Sequence, residues 1–209
     1  MTGKTHMLGG LAAGTGMVLI AKLLLPEGSY ELTSAGLFMA SSTMTALLPD
    51  VDEKNSTAGR KLIVIPITLF LLKACLLLME YVSFGNLRKK FKETRKALNH
   101  RGLFHWLITW IILSAIGVIA AAILIFTLKD INRGAAVLIT AIPVLVGFIP
   151  GYLSHLLFDL ISGRIQLFAP FSKKWYGVRI FKVGGFLEIF VFRPILMTGI
   201  VYMLLLLVK

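Results

Sequence analysis

Long apolar runs alternate with short polar stretches along this chain. The runs occupy about residues 7–25, 32–48, 62–84, 103–128, 134–161 and 186–208. Most reach or approach the roughly 20 residues that a helix needs to span the hydrocarbon of a bilayer. The pattern predicts an all-α polytopic membrane helix bundle, one integral domain over residues 1–209, with about five spans.

The run at 62–84 is read differently. Pro66 disturbs a helix near its start, and Lys73 would place a charge at mid-bilayer. A re-entrant or interfacial segment accommodates both. It also leaves the polar stretch 50–61 on the same side as the basic stretch 88–101. With that choice Lys4, 50–61, 83–101 and 162–185 share one face and carry most of the 22 Lys and Arg. By the positive-inside rule that face is expected to be cytoplasmic.

Composition narrows the class. At 57% hydrophobic residues the chain is no ordinary soluble domain. The formal net charge of +12 would suggest nucleic acid in a soluble protein. In a membrane protein, orientation and attraction to anionic lipid account for it, so membrane lipid is the expected partner and no nucleic acid is expected. The single cysteine, Cys75, excludes an internal disulfide. The first run is not read as a cleaved signal peptide: only Lys4 precedes it, and no clear cleavage site follows.

The polar residues that remain carry the chemistry. His6 lies in Thr-His-Met-Leu-Gly-Gly, Asp50 and Asp52 in Leu-Leu-Pro-Asp-Val-Asp, and His100 and His105 in Asn-His-Arg-Gly-Leu-Phe-His. His155 and Asp159 stand four apart, on one helical face. All four histidines thus sit in short polar motifs. Imidazole with carboxylate is the donor set of zinc, manganese and iron. Glu188 follows Gly184-Gly185 in an apolar run, either as a further ligand or as the partner of Arg193. The candidate metal ligands are therefore His6, Asp50, His100, His105, His155, Asp159 and Glu188. They exceed what one zinc needs, so one or two Zn2+ ions are expected, with Mn2+ as the alternative. Asp52 is the candidate general base or bridging ligand. Arg101, before a helix start, is the candidate catalytic cation and phosphate contact. Lys173 and Lys174 are further phosphate candidates. No His-Glu-x-x-His helix is present to support peptide hydrolysis.

Four motifs, in order, resemble the membrane-bound metal-dependent hydrolase family of bacteria, whose best-known member is induced in the SOS response. The matching residues are His6 with Gly9; Leu47 to Asp52 with Ser56 and Gly59; His100-Arg101-Gly102 with His105; and Gly151 to His155 with Asp159. The resemblance implies a multi-pass hydrolase of the bacterial plasma (inner) membrane. The expected reaction is hydrolysis of a lipid phosphate ester, such as a phospholipid or a polyprenyl phosphate, by metal-activated water at the cytoplasmic face. The alternative is a non-enzymatic transporter or scaffold with a buried His/Asp cluster. An ion path needs polar groups through the bilayer depth, whereas here they gather at one face, which favours the hydrolase.

Overall fold

The computed structural model describes residues 1–25, 31–51, 53, 56–57, 64–97, 102–128 and 134–208, with 64–70, 97 and 134–136 described by backbone alone. The described elements are helical, as predicted. They are α1 (Gly3–Leu24), α2 (Leu32–Thr45), α3 (Val64–Val82), α4 (Gly85–Ala97), α5 (Leu107–Leu128), α6 (Gly134–Ser162) and α7 (Arg193–Val208). Two 3-10 turns, Leu48–Asp50 and Leu103–His105, and a π-helical turn, Leu187–Phe192, complete the elements.

Among the described residues four stretches are long and apolar enough to cross a bilayer: Gly3–Leu24, Leu107–Leu128, Val137–Ser162 and Leu187–Val208. The expected fifth span, α2, has only 14 residues, or about 21 Å at 1.5 Å per residue. It still returns the chain to the starting end of α1, because Asp50, just beyond α2, groups with His6 of α1. The helices turn their apolar side chains outward: Ile116, Ile119 and Phe126 of α5 and Ile195 and Leu205 of α7 are exposed. A continuous apolar exterior of this kind is a lipid-facing surface.

With lipid outside, helix association rests on close packing and polar contacts rather than on apolar burial. Helix α2 packs on both α1 and α6 through small residues. A Cβ at Gly10 of α1 would stand 2.5 Å from the Ser42 carbonyl oxygen, and one at Gly147 of α6 would stand 2.7 Å from that of Phe38. Ser42 donates to the Gly10 carbonyl at 2.7 Å and Ser41 to that of Val144 at 2.6 Å. Pro143 inside α6 removes the N–H that would bond the carbonyl of Ile139. Ser34 of α2 supplies the missing donor at 3.0 Å, so the proline leaves no orphaned acceptor in the membrane.

The segment 62–84 takes a helical form of the expected re-entrant or interfacial segment. It contains no non-helical re-entrant loop among its described residues: α3 is an unbroken 19-residue helix. Pro66 is the third described residue of that helix and leaves the turns after it unbroken. Helix α4 then packs back on α3, turning at Gly85, whose φ of +56° suits glycine. Asp50 before this helical hairpin and His105 after it stand 3.6 Å apart. The hairpin therefore leaves and re-enters the bundle at one end.

After α6 the chain is tied down by mutual backbone hydrogen bonds between Ile165 and Tyr176, both 2.9 Å, and by Val178 N–H to Leu160 carbonyl at 2.8 Å. These bonds cover the end of the bundle that holds the polar motifs.

Candidate metal centre

Five residues from four stretches of chain meet at that end. His6 comes from the second turn of α1, Asp50 from the turn after α2, His105 from the turn before α5, and His155 and Asp159 from the end of α6. Local bonds brace the turns that carry Asp50 and His105. Ser56 Oγ donates to the Asp50 carbonyl at 2.6 Å. Thr109 Oγ1 donates to the Leu103 carbonyl at 2.6 Å. The hydroxyl of Tyr152 bonds the Phe104 carbonyl, next to His105. Tyr152 is wholly buried, so it braces this turn from inside the protein.

Two overlapping groups of donor atoms result: His6, Asp50 and His155, and His105, His155 and Asp159. Asp159 Oδ1 lies 3.4 Å from His6 Nε2, and its Oδ2 lies 3.4 Å from His105 Nε2 and 3.8 Å from His155 Nε2. Asp50 Oδ1 is 3.6 Å from Nε2 of both His105 and His155. At 3.4–3.8 Å these are long ion-pair and hydrogen-bonding distances. Ligand atoms ~2.1 Å from a shared ion stand about 3.4 Å apart in a tetrahedral site, so the spacings match ligands around a metal.

The histidines support the same fit. His155 Nδ1 is 2.7 Å from the Ala46 carbonyl oxygen. A carbonyl only accepts, so Nδ1 carries the proton and the Nε2 lone pair faces the cluster, the arrangement that outer-shell partners give to metal-binding imidazoles. His155 Nε2 also stands 3.3 Å from His105 Nε2. His6 stacks on His155 with ring centroids 3.7 Å apart. Both ring nitrogens of His6 are buried without a hydrogen bond. Leaving such atoms unsatisfied is costly, and a metal would satisfy Nε2.

Charge is distributed accordingly. Burial opposes a charge on His105, but hydrogen bonding to Asp159 and Asp50 and their negative charges raise its pKa to about 9. Burial would raise the Asp50 pKa, but hydrogen bonding to His105 and the neighbouring imidazoles hold it well below the usual carboxylate range. Asp50 is also the most accessible of the five, its side chain 15% exposed against 4% or less for the others. The cluster is therefore approached from the Asp50 side. The α-amino group of Met1 donates to Asp159 Oδ1 at 3.1 Å and to Ser162 Oγ at 3.0 Å.

The remaining sequence candidates fall elsewhere. Asp52, His100 and Arg101 lie outside the described residues. Glu188 does not join the converging groups. Its Oε1 accepts from Thr2 N at 2.8 Å, Thr2 Oγ1 at 2.9 Å and Thr5 Oγ1 at 2.5 Å, and its Oε2 from Gly184 N at 2.7 Å. Arg193 Nη2 is 3.9 Å away and its guanidinium donates to both threonine hydroxyls. Of the two sequence readings of Glu188, its partnership with Arg193 corresponds to the structure: the pair clamps the first turn of α1, one residue before His6. Lys173 and Lys174 are exposed on the 166–175 loop, and no described ion pair joins them to the cluster. Closure of that loop by the Ile165–Tyr176 bonds holds them on the surface. Sequence reasoning missed the Ala46 carbonyl, which leaves no trace in residue type.

Comparison with curated proteins and with solved structures returned no match. A family model described as YdjM inner membrane protein matches residues 1–209. Its description gives a location and no reaction, so the hydrolase part of the family resemblance finds no counterpart in it. A match over the whole chain, together with four helices fit to span a bilayer, makes this a bacterial inner membrane protein that belongs to the YdjM inner membrane protein family.

Proposed function

We propose that this protein is a metal-dependent hydrolase acting on a phosphate ester of a lipid at the cytoplasmic face of the inner membrane. The observation that carries the reading is the convergence of His6, Asp50, His105, His155 and Asp159 at spacings suited to a metal. One or two zinc ions, or manganese, fit this mixed nitrogen and oxygen donor set. A bound divalent ion polarises a phosphoryl oxygen and lowers the pKa of water. In the reaction the water oxygen bonds phosphorus, the P–O ester bond breaks, and the alcohol leaves with a proton. The protein's own contribution is to orient. The Ala46 carbonyl fixes the His155 tautomer, and the exposed edge of Asp50 marks the approach to the cluster. The cluster lies where the spanning helices begin and end, the level at which a lipid presents its phosphate. Lys4, the basic α4 and the 162–185 loop leave from the same end, the arrangement of a cytoplasmic face.

Metal analysis by mass spectrometry of detergent-purified protein prepared without chelator is the test. One or two equivalents of zinc or manganese are expected, lost in His155→Ala. A well-folded protein with no metal in either form would discard the hydrolase reading in favour of a scaffold with a hydrogen-bonded core. If metal is present, release of phosphate or of the alcohol from phospholipids and polyprenyl phosphates reports the reaction.

Binding should also release a proton. An imidazole must be neutral to ligate, and His105 of the metal-free protein holds its proton to about pH 9. Metal affinity is therefore expected to rise with pH by about tenfold per unit and to level off near pH 9. Titration calorimetry in buffers of different ionisation enthalpy would measure the proton, and a pH-independent affinity would contradict its release.

A further inference from the structure

The α3–α4 hairpin contributes no described group to the metal cluster, yet its surface is sharply divided. Helix α3 has two charged residues among its described side chains, Lys73 and Glu80. They stand seven apart, two turns along one face, with Leu76 on that face. Glu80 and Leu76 are buried, and Lys73 is half-buried. Arg95 of α4 binds Glu80 Oε2 through Nε at 3.1 Å and Nη2 at 2.9 Å. The charged face of α3 is thereby turned to α4. The rest is apolar and bare: Leu71, Leu72, Cys75, Leu78, Met79 and Val82 are all exposed. On α4, Arg88, Lys89, Lys90, Lys92 and Lys96 are exposed, with Glu93 the one acidic residue.

The geometry points to a leaflet-docking module: α3 lies in the acyl boundary of the site-side leaflet, and α4 lies over it among anionic lipid headgroups. Three observations select this occupant. The hairpin is rooted at the bundle end, since Asp50 and His105 meet across its base, which is the level where the spanning helices begin and end. A helix apolar on one side and polar on the other lies in the interfacial plane. The exposed charge of α4 is strongly positive, which complements anionic headgroups and not zwitterionic ones. The charged residue that argues against α3 as a span, Lys73, has a place in this arrangement on the side facing α4.

Cys75 is the chain's one cysteine and lies on the bare face of α3, which makes it a native probe. The full-length protein is placed in nanodiscs of phosphatidylcholine alone or with phosphatidylglycerol, and labelled with a charged, membrane-impermeant maleimide. Cys75→Ser/Lys92→Cys serves as the reference for the polar side. In anionic discs Cys75 is expected to react about tenfold or more slowly than the reference cysteine. Replacing Arg88, Lys89, Lys90 and Lys92 together by Gln is expected to speed Cys75 labelling by about fivefold, towards the rate in neutral discs. These side chains are exposed, so the variant keeps its fold. Reaction of Cys75 as fast as the reference would overturn the proposal, since α3 would then face water. Slow reaction that is identical in neutral discs and in the Gln variant would also overturn it, because protein, such as a second copy, would then cover the face.

Discussion

Asp159→Asn is expected to lower the affinity for zinc or manganese by more than about 100-fold, beyond the ~10–100-fold that loss of an outer-shell partner costs. Asp159 lies within 4 Å of the Nε2 atoms of all three described histidines. Its two oxygens divide them, Oδ1 towards His6 and Oδ2 towards His105 and His155. The amide keeps the shape of the side chain but loses the negative charge and one acceptor oxygen. A site that discharges a divalent ion with two carboxylates is left with Asp50 alone. Any hydrolysis of lipid phosphate should fall to background in the same variant. Competition titration against a chelating dye measures the affinity, and circular dichroism checks the fold. Wild-type affinity in folded Asp159→Asn would remove Asp159 from the ligand set and undo the proposed centre.

Gly151→Val is expected to be the most destabilising of the packing changes, by about 3 kcal/mol, the upper end of ordinary overpacking. At about 2–4 °C per kcal/mol for a chain of this size, the melting temperature should drop by roughly 6–12 °C. A Cβ at Gly151 would run into the Ser42 carbonyl oxygen and Thr45 Oγ1 of α2. Neither can yield cheaply, since both belong to a helix already wedged between α1 and α6. The damage should reach the site, because Ala46, whose carbonyl holds His155, follows one residue after Thr45. Metal affinity and melting temperature should therefore fall together. Gly36→Ala in α2 is the control. A Cβ there meets nothing within 4 Å, so the change should be neutral or should stabilise by up to ~1 kcal/mol through helix propensity. Thermal melts of both variants in one detergent decide the matter, and a Gly151→Val protein that melts with the wild type would refute the close-packing account.

Much of this architecture was readable from residue types because the bilayer simplifies the problem. A run of some 20 apolar residues has one economical fate in lipid, which is why residues 103–128 and 186–208 map closely onto α5 and the Leu187–Val208 stretch. His155 and Asp159 were paired by spacing alone, since helical periodicity puts i and i+4 together wherever the helix lies. The return of the chain between Asp50 and His105 to one face was legible from two awkward residues, Pro66 and Lys73, and from the positive charge around them. Its form was less so. A proline at the start of a helix and one that breaks it look alike until the helix start is known.

The order of apolar and polar segments was enough to establish a helical membrane protein, the end at which its polar groups collect and the residue types offered there. Those properties follow from the cost of polar groups in hydrocarbon, which acts on each segment separately. Which polar groups meet was decided by packing between segments. Asp50 reaches His105 and His155 because α2 is short and glycines at positions 10, 147 and 151 let it approach both neighbours. Glu188 is drawn instead to Thr2, Thr5 and Gly184, which offer several donors at the point where the π-helical turn meets the start of α1. The tautomer of His155 hangs on a backbone carbonyl 109 residues away. A carbonyl is common to every residue, so its role arises only from where the fold puts it.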